Sequence, residues 1–188
     1  MASRAFVAHL VPQLNDVEEL LTAHARLTGR RRGRQWGVGS LNRAIVVIAV
    51  SSWEAYLEHV TEESTILLKP PIPPLASWPA LVASAKSAIG RFHNPSADNV
   101  KNLLRDCLGI PDISNDWHWR NCNHEKAVKH LNELLKLRHQ IAHGATPRPR
   151  VRNDYASSLP HFIKNLAKCT DDGIKQYLEA TFGLQNVF

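Results

Sequence analysis

Apolar residues at three- and four-residue spacing recur along almost the whole chain, and most of these runs end at a glycine or a proline. This spacing places the apolar side chains on one face of an α-helix, whereas the alternating pattern that is typical of strands is almost absent. The sequence therefore predicts an all-α fold, a single helical bundle of five to six helices. At 188 residues the chain is long enough for one good-sized core, so we expect residues 1–188 to form one domain.

Six segments combine the helical pattern with recognisable start or stop residues. A first helix is predicted over residues 4–28, with Pro12 either kinking it or marking its true beginning. The other five are predicted at about 40–68 with Ser40 as N-cap, from Ser77 to Gly90, from Ser96 as N-cap to Gly109, at about 123–143, and from near Ser157 onward with Pro160 early. The second helix is apolar on every side over 44–50, which predicts a central place in the bundle.

Charge and cysteine content narrow the class of protein. The net charge of +6, with ten histidines counted as neutral, favours an acidic partner such as nucleic acid. Three widely spaced cysteines form no CxxC pair, which argues against a disulfide framework and predicts a reducing compartment. No secretory leader pattern is seen, and the longest apolar run, Ala44–Val50, is far shorter than a membrane span. We expect a soluble, cytoplasmic protein.

The fifth predicted helix carries an arginine on its apolar face. Its stripe consists of Ala127, Val128, Leu131, Leu134, Leu135, Ile141 and Ala142. Arg138 lies in the middle of this stripe, one heptad after Leu131. Burying an unpaired guanidinium costs several kcal/mol or more, so a counter-ion, a partner surface or an anionic ligand must compensate it.

A histidine at the end of the same helix makes chemistry possible. His143 lies five positions after Arg138, about 140° around an ideal helix, so a long arginine side chain or a second protomer is needed to bring the two together. His143 precedes Gly144 in the last turn, where the helix dipole favours positive charge, and histidine is a natural general acid or base. A basic extended loop able to follow phosphates comes next, with Arg148, Arg150 and Arg152. Metal-free RNA cleavage needs a base, an acid and positive charge on the phosphate, and these residue types supply them.

The segment Arg138–His143 resembles the signature of the HEPN superfamily, in which an arginine, a polar residue and, a few positions later, a histidine lie near the end of a long helix. Residues 51–57 are similar to the second-helix segment of the RiboL-PSP-HEPN branch. Residues 94–113, followed by Trp117, are similar to the middle portion of that branch. Together the three segments extend the resemblance over about two-thirds of the chain.

The resemblance implies a helical bundle that forms a homodimer with two Arg–His motifs in one cleft. Active members are metal-independent endoribonucleases without a cofactor, often toxins or phage-defence effectors with a neutralising antitoxin partner, and they leave 2′,3′-cyclic phosphate ends. Carried over, Arg138 would orient and neutralise the phosphate, and His143 would act as acid or base. His139 would support it from the polar position, and Glu54 would be the counter-ion of Arg138.

Two other functions remain open at this stage. The chain is then either a non-catalytic HEPN module that binds RNA or a protein, or a helical oligomerisation domain in which Arg138 forms a structural ion pair with Glu54. His139 and His143 also have the i, i+4 spacing of metal ligands, but no third ligand for zinc is evident nearby.

Two further segments have a structural and a functional interpretation. Residues 117–124, rich in tryptophan and histidine, predict a packed connector that caps the fifth helix, with base stacking on a tryptophan as the alternative. The basic run Arg30–Arg34 is interpreted as a solvated loop or as a contact to the RNA backbone, without sequence specificity.

Overall fold

In the computed structural model, the described residues are 2–29, 37–69, 77–144, 149–185 and 187–188. Within these ranges the chain is helical and contains no β-strand, which confirms the predicted all-α fold. The helices are α1 (Val11–Thr28), α2 (Gly39–Leu67), α3 (Ser77–Gly90), α4 (Ala97–Leu108), α5 (His124–Ala142) and α6 (Asn153–Phe182). No helix in the described part combines the length and hydropathy that a membrane crossing requires.

The second helix is the centre of the bundle, as its all-round apolar sequence predicts. It contacts each of the other five α-helices. On α2 the fully buried Trp53 packs against Tyr56, with ring centroids 5.5 Å apart, and against Trp117, at 6.0 Å. Large aromatic side chains bury much apolar area, so this cluster fixes the connector around Trp117 onto the core.

The chain enters α1 through a π-helical segment, Ala5–Leu10. The backbone N–H of Val11 donates to the carbonyl of Phe6, five residues back. Pro12 follows in the first turn of α1, but the backbone before it is already helical from Arg4 to Leu10, so its missing N–H leaves one hydrogen bond of a continuous helix unmade. Pro12 therefore lies where the π-helical segment changes to an α-helix, inside the predicted helix over residues 4–28 and not at its beginning.

A buried carboxylate ties the N-terminal segment to α6. Asp171 is 3% exposed and accepts hydrogen bonds from the N–H and the hydroxyl of Ser3, both at 2.8 Å. The Tyr56 hydroxyl lies 2.7 Å from the same carboxylate. Burial raises the pKa of Asp171 above its usual value, and these hydrogen bonds oppose that rise.

Two predicted helix starts are wrong. Ser40 lies inside α2, whose N-cap is Val38 without any side-chain capping bond. The last helix begins at Asn153, four residues before the predicted Ser157, so Pro160 lies inside it rather than in its first turn. Pro160 is thus not an early-turn residue of α6, and the first turn of this helix contains the acidic Asp154 instead.

The predicted N-cap of α4 is confirmed, and the structure also gives α5 a capping residue, Asn123, at its predicted start. Ser96 accepts a hydrogen bond from the Asn99 N–H at 3.3 Å, and Asn123 accepts one from the Lys126 N–H at 3.1 Å. Gly109 ends α4 with a φ of 79°, a left-handed conformation that glycine adopts without strain. These caps set where α5 starts and therefore where its far end lies.

The connector before α5 is packed, as predicted. Within the connector, the indole N–H of Trp117 donates to the Thr170 hydroxyl at 3.0 Å, inside the core. A short 3-10 turn, Ile113–Asp116, precedes it and presses on α6 so closely that a Cβ on Gly173 would lie 2.6 Å from an Asp116 carboxylate oxygen. The start of α5 is thus held against both α4 and α6.

Candidate active site

Helix α5 is buried over its first three turns and emerges from the core over its last ones. Its buried residues are Ala127, Leu131, Leu134 and Leu135. Beyond them Leu137 and Ile141 are only partly buried, and Ala142 is exposed. The apolar stripe therefore does not continue into the core up to the helix end, although its spacing predicts that it should.

Arg138 lies where the helix leaves the core, and it is half-buried rather than sealed inside. Within the described part of the chain its guanidinium makes no ion pair within 4.0 Å and no hydrogen bond. The sequence predicts a guanidinium buried among leucines, and this prediction is wrong because the Arg138 side chain is partly exposed. Since the side chain reaches water, it needs no internal counter-ion and is available to an anionic ligand.

His139 and His143 form a pair at the tip of α5. Their ring centroids are 4.2 Å apart with 47° between the ring planes, and both side chains are exposed. The His143 N–H still donates to the His139 carbonyl at 3.0 Å, so the helical turn that brings the two rings together is intact. Two imidazoles in contact can share acid and base roles within one protomer.

A groove opens beside Arg138 and His139. It has a volume of about 370 Å³ and is lined by Asn94, Ser96, Asn132, Leu135, Lys136, Arg138 and His139. We call it the α5 groove. Among the described residues that line it there is no carboxylate, whereas Lys136, Arg138 and His139 all supply nitrogen donors. Its volume falls in the range of clefts that hold small ligands.

Glu54 makes no ion pair with Arg138 in the described residues, so its counter-ion role stays a prediction. On the same helix the pKa of Glu58 is raised, first by burial and then by the negative charge of Glu54. His93 opposes that rise. Glu54 and Glu58 thus place two carboxylates one turn apart on α2, and the pairing of Glu54 with Arg138 remains a prediction.

Of the three arginines predicted to follow phosphates, two lie in the described part of the chain. Arg150 and Arg152 are exposed ahead of α6, and Arg152 pairs with Asp154 at 2.7 Å. Such a surface pair is worth little, so it leaves Arg152 able to exchange partners. Arg148 and the run Arg30–Arg34 lie outside the described residues.

Three residues of the groove were not singled out from the sequence. Asn132 and Lys136 precede His139 and His143 at spacings of four, three and four, which is one face of a helix, so helical spacing could have identified them. Asn94 comes from the α3–α4 loop, and no local pattern connects it to α5.

The i, i+4 histidine pair is not joined by further metal-binding side chains. In the described ranges, no group of three or more His, Cys, Asp or Glu side chains is placed to hold a metal ion.

A helical bundle that exposes an arginine, a polar residue and a histidine at one helix end has the arrangement of the HEPN superfamily. Within it, residues 12–176 match the RiboL-PSP-HEPN family model, and the chain belongs to that family. No match is found among curated proteins, and none among solved structures.

Proposed function

We propose that this protein is a metal-independent endoribonuclease that cleaves RNA by acid–base transesterification at a homodimeric Arg/His site. The observation that carries the proposal is the Arg138 guanidinium, which has no counter-ion among the described residues and lines the α5 groove together with His139, whose ring contacts that of His143. Membership of the RiboL-PSP-HEPN family favours an RNase-like or RNA-binding module. The charge balance of +6 agrees with an RNA partner.

The reaction needs only protein side chains. One imidazole removes the proton from the ribose 2′-hydroxyl, and the 2′-oxygen attacks the adjacent phosphorus. The bond from phosphorus to the 5′-oxygen breaks as a second, protonated imidazole donates its proton to that oxygen. The products are a 2′,3′-cyclic phosphate end and a 5′-hydroxyl end, so atoms and charge balance without an added reactant.

We assign Arg138 to the phosphate, where positive charge stabilises the pentavalent transition state. His143 is the principal acid or base, and His139 supports it through ring contact or takes the complementary role. Exposure of both rings leaves room for a second protomer to cover the site, so that a homodimer would present two such sets. We place the enzyme in the cytoplasm, as a toxin or phage-defence effector restrained by a neutralising partner, and treat residues 1–188 as one domain.

The test is cleavage of a labelled RNA by the purified protein in excess EDTA, with product ends identified. We expect cleavage by the wild type and loss of at least about a hundredfold in His143→Ala, since general acid–base catalysis contributes roughly 10²–10⁴-fold. His161→Ala is the matched control because His161 is exposed on α6 and does not line the α5 groove. Unchanged cleavage in His143→Ala, or cleavage that requires added metal, would contradict the proposal.

The second candidate function is a non-catalytic module that binds RNA or a protein. The lack of orienting hydrogen bonds at His139 and His143 favours it, because neither ring hydrogen-bonds to a side chain or backbone group in the described part of the molecule. Catalytic histidines are commonly oriented by such a bond. RNA binding without any cleavage, unaffected by His143→Ala, would select this function.

A further inference from the structure

The α5 groove holds more polar groups than the transesterification uses. Asn94 and Asn132 line it, and the proposed reaction assigns neither carboxamide a role. In the described residues neither side chain makes a hydrogen bond. Each carboxamide offers two donors and one acceptor oxygen, so the groove presents a pair of unused groups that can recognise a polar planar edge.

Asn94 is held in its position by the loop around it. Its backbone has a φ of 67°, and its carbonyl accepts hydrogen bonds from the Asn99 side chain at 2.7 Å and from the Ser96 N–H at 2.8 Å. The following Pro95 carbonyl accepts from the buried Trp53 indole N–H at 3.1 Å. A left-handed residue directly before a proline is unusual, and here the core enforces it. The Asn94 side chain therefore starts from a rigid base beside the groove.

Asn132 faces the same groove from α5, and Lys136 lies one turn further along. Lys136 is exposed and has no ion pair among the residues that the structure describes. Along a helix the rise is about 1.5 Å per residue, so Asn132 lies roughly 10 Å before His139 on the axis. That separation fits one nucleotide beyond the reacting ribose.

The groove also continues along α5. The adjoining surface, which is open and lined by residues of α5 alone, shares Asn132 and Lys136 with the α5 groove. It includes two glutamates, Glu125 and Glu133, among its lining residues. The α5 groove, with no carboxylate among its described lining residues, is therefore the part of this surface that suits a nucleotide next to a phosphate.

We propose that the α5 groove is a base-recognition subsite for single-stranded RNA. In it Asn94 and Asn132 bind the edge of the base next to the cleaved linkage, and Lys136 neutralises the neighbouring phosphate. Sequence-specific recognition of RNA depends on unpaired bases whose edges are free to form hydrogen bonds. The inference rests on the proposed function for the position of the cleaved linkage, but its binding test does not depend on catalysis.

The test is selection of bound sequences from a random single-stranded RNA pool, with the His143→Ala background used so that bound RNA stays intact. We expect a preference at one nucleotide position, reduced at least about fivefold by either Asn132→Ala or Asn94→Ala. Asn102→Ala is the matched control, since this asparagine is exposed on α4 and does not line the groove. Lys136→Ala should weaken binding of all sequences alike, as loss of a phosphate contact does.

Three results would overturn the inference. One is a pool without positional preference, and another is a preference that both asparagine variants retain. The third is a change in oligomeric state on Asn132→Ala, by light scattering, without any change in preference, because the groove is then a contact between two copies. Cleavage by the wild-type protein is scored separately, so loss of the subsite and loss of the ribonuclease proposal give different outcomes.

Discussion

Replacing Arg138 by alanine separates a phosphate-binding arginine from a structural one. A buried ion pair that loses one partner destabilises a protein by about 3–5 kcal/mol. Arg138 is half-buried and unpaired within the described residues, so its truncation removes only packing of the side-chain stem. We expect a loss of about 0.5 kcal/mol in the free energy of unfolding. For a chain of this size that corresponds to roughly 1–2 °C in Tm, against about 6–20 °C for a broken buried pair.

The same substitution should have a large effect on RNA. Removing one group that stabilises developing transition-state charge costs about 10²–10³ in rate. RNA binding should also become less salt-dependent, with the slope of log K against log salt falling by about 0.7 for one lost contact to single-stranded phosphate. Arg26→Ala is the matched control, because Arg26 is exposed on α1 and does not line the α5 groove.

The assays are thermal unfolding by circular dichroism and cleavage of labelled RNA in EDTA, with binding measured between 50 and about 200 mM salt. A Tm loss above about 6 °C in Arg138→Ala would refute the reasoning and select the structural ion pair. Retained Tm with retained cleavage would equally refute it, because Arg138 would then be neither structural nor catalytic.

Three further predictions concern the scaffold that positions α5, each measured by thermal unfolding. Tyr56→Phe removes a donor to the buried Asp171 carboxylate and should cost about 1.5–3 kcal/mol. The hydrogen bond lowers the pKa of Asp171, so it stabilises the fold while this carboxyl group is ionised. The stability lost in Tyr56→Phe should therefore be present above the pKa of Asp171 in the folded protein and should fade as the pH falls through that pKa. Equal losses at pH 7 and about pH 3.5 would contradict this. Gly173→Ala places a Cβ 2.6 Å from an Asp116 oxygen and should cost about 1–3 kcal/mol, whereas an unchanged Tm would mean that the 3-10 turn gives way freely. Ser96→Ala removes the α4 cap and should cost about 1 kcal/mol, with Ser96→Thr retaining most of it.

Helix positions could be predicted where a helix has both a spacing pattern and chemically distinct ends. Ser96 is the predicted N-cap of α4 and caps it in the structure, and both α4 and α5 have the predicted bounds within about one residue. Ser40 and Ser157 failed because a serine near an apolar run is also an acceptable residue inside a helix. Local chemistry does not distinguish these two uses of serine, and the tertiary contacts of α2 and α6 decide them.

The candidate site could be predicted only in part, for a geometric reason. Arg138, His139 and His143 lie within one and a half turns of one helix, so the sequence alone places them near one another. How deeply Arg138 is buried depends on where the neighbouring helices stop covering α5, which periodicity does not encode. The groove depends further on the α3–α4 loop, whose Asn94 is 38 positions before Asn132 in the chain.

The end of α5 is exposed because the core stops short of it, and this has a functional consequence. The first three turns are held by Asn123, by the Trp117 connector and by the buried leucines. Leu137 and Ile141 still pack against the core, so the last turns form an extension that is anchored on one side and exposed on the other. Rigid elements position catalytic groups better than loops do. An arginine and two histidines on such an extension have a defined geometry but no protein-derived partners of their own, in the part of the chain that is described. Their positive charge and acid–base capacity are therefore directed outward, toward a ligand that carries phosphate.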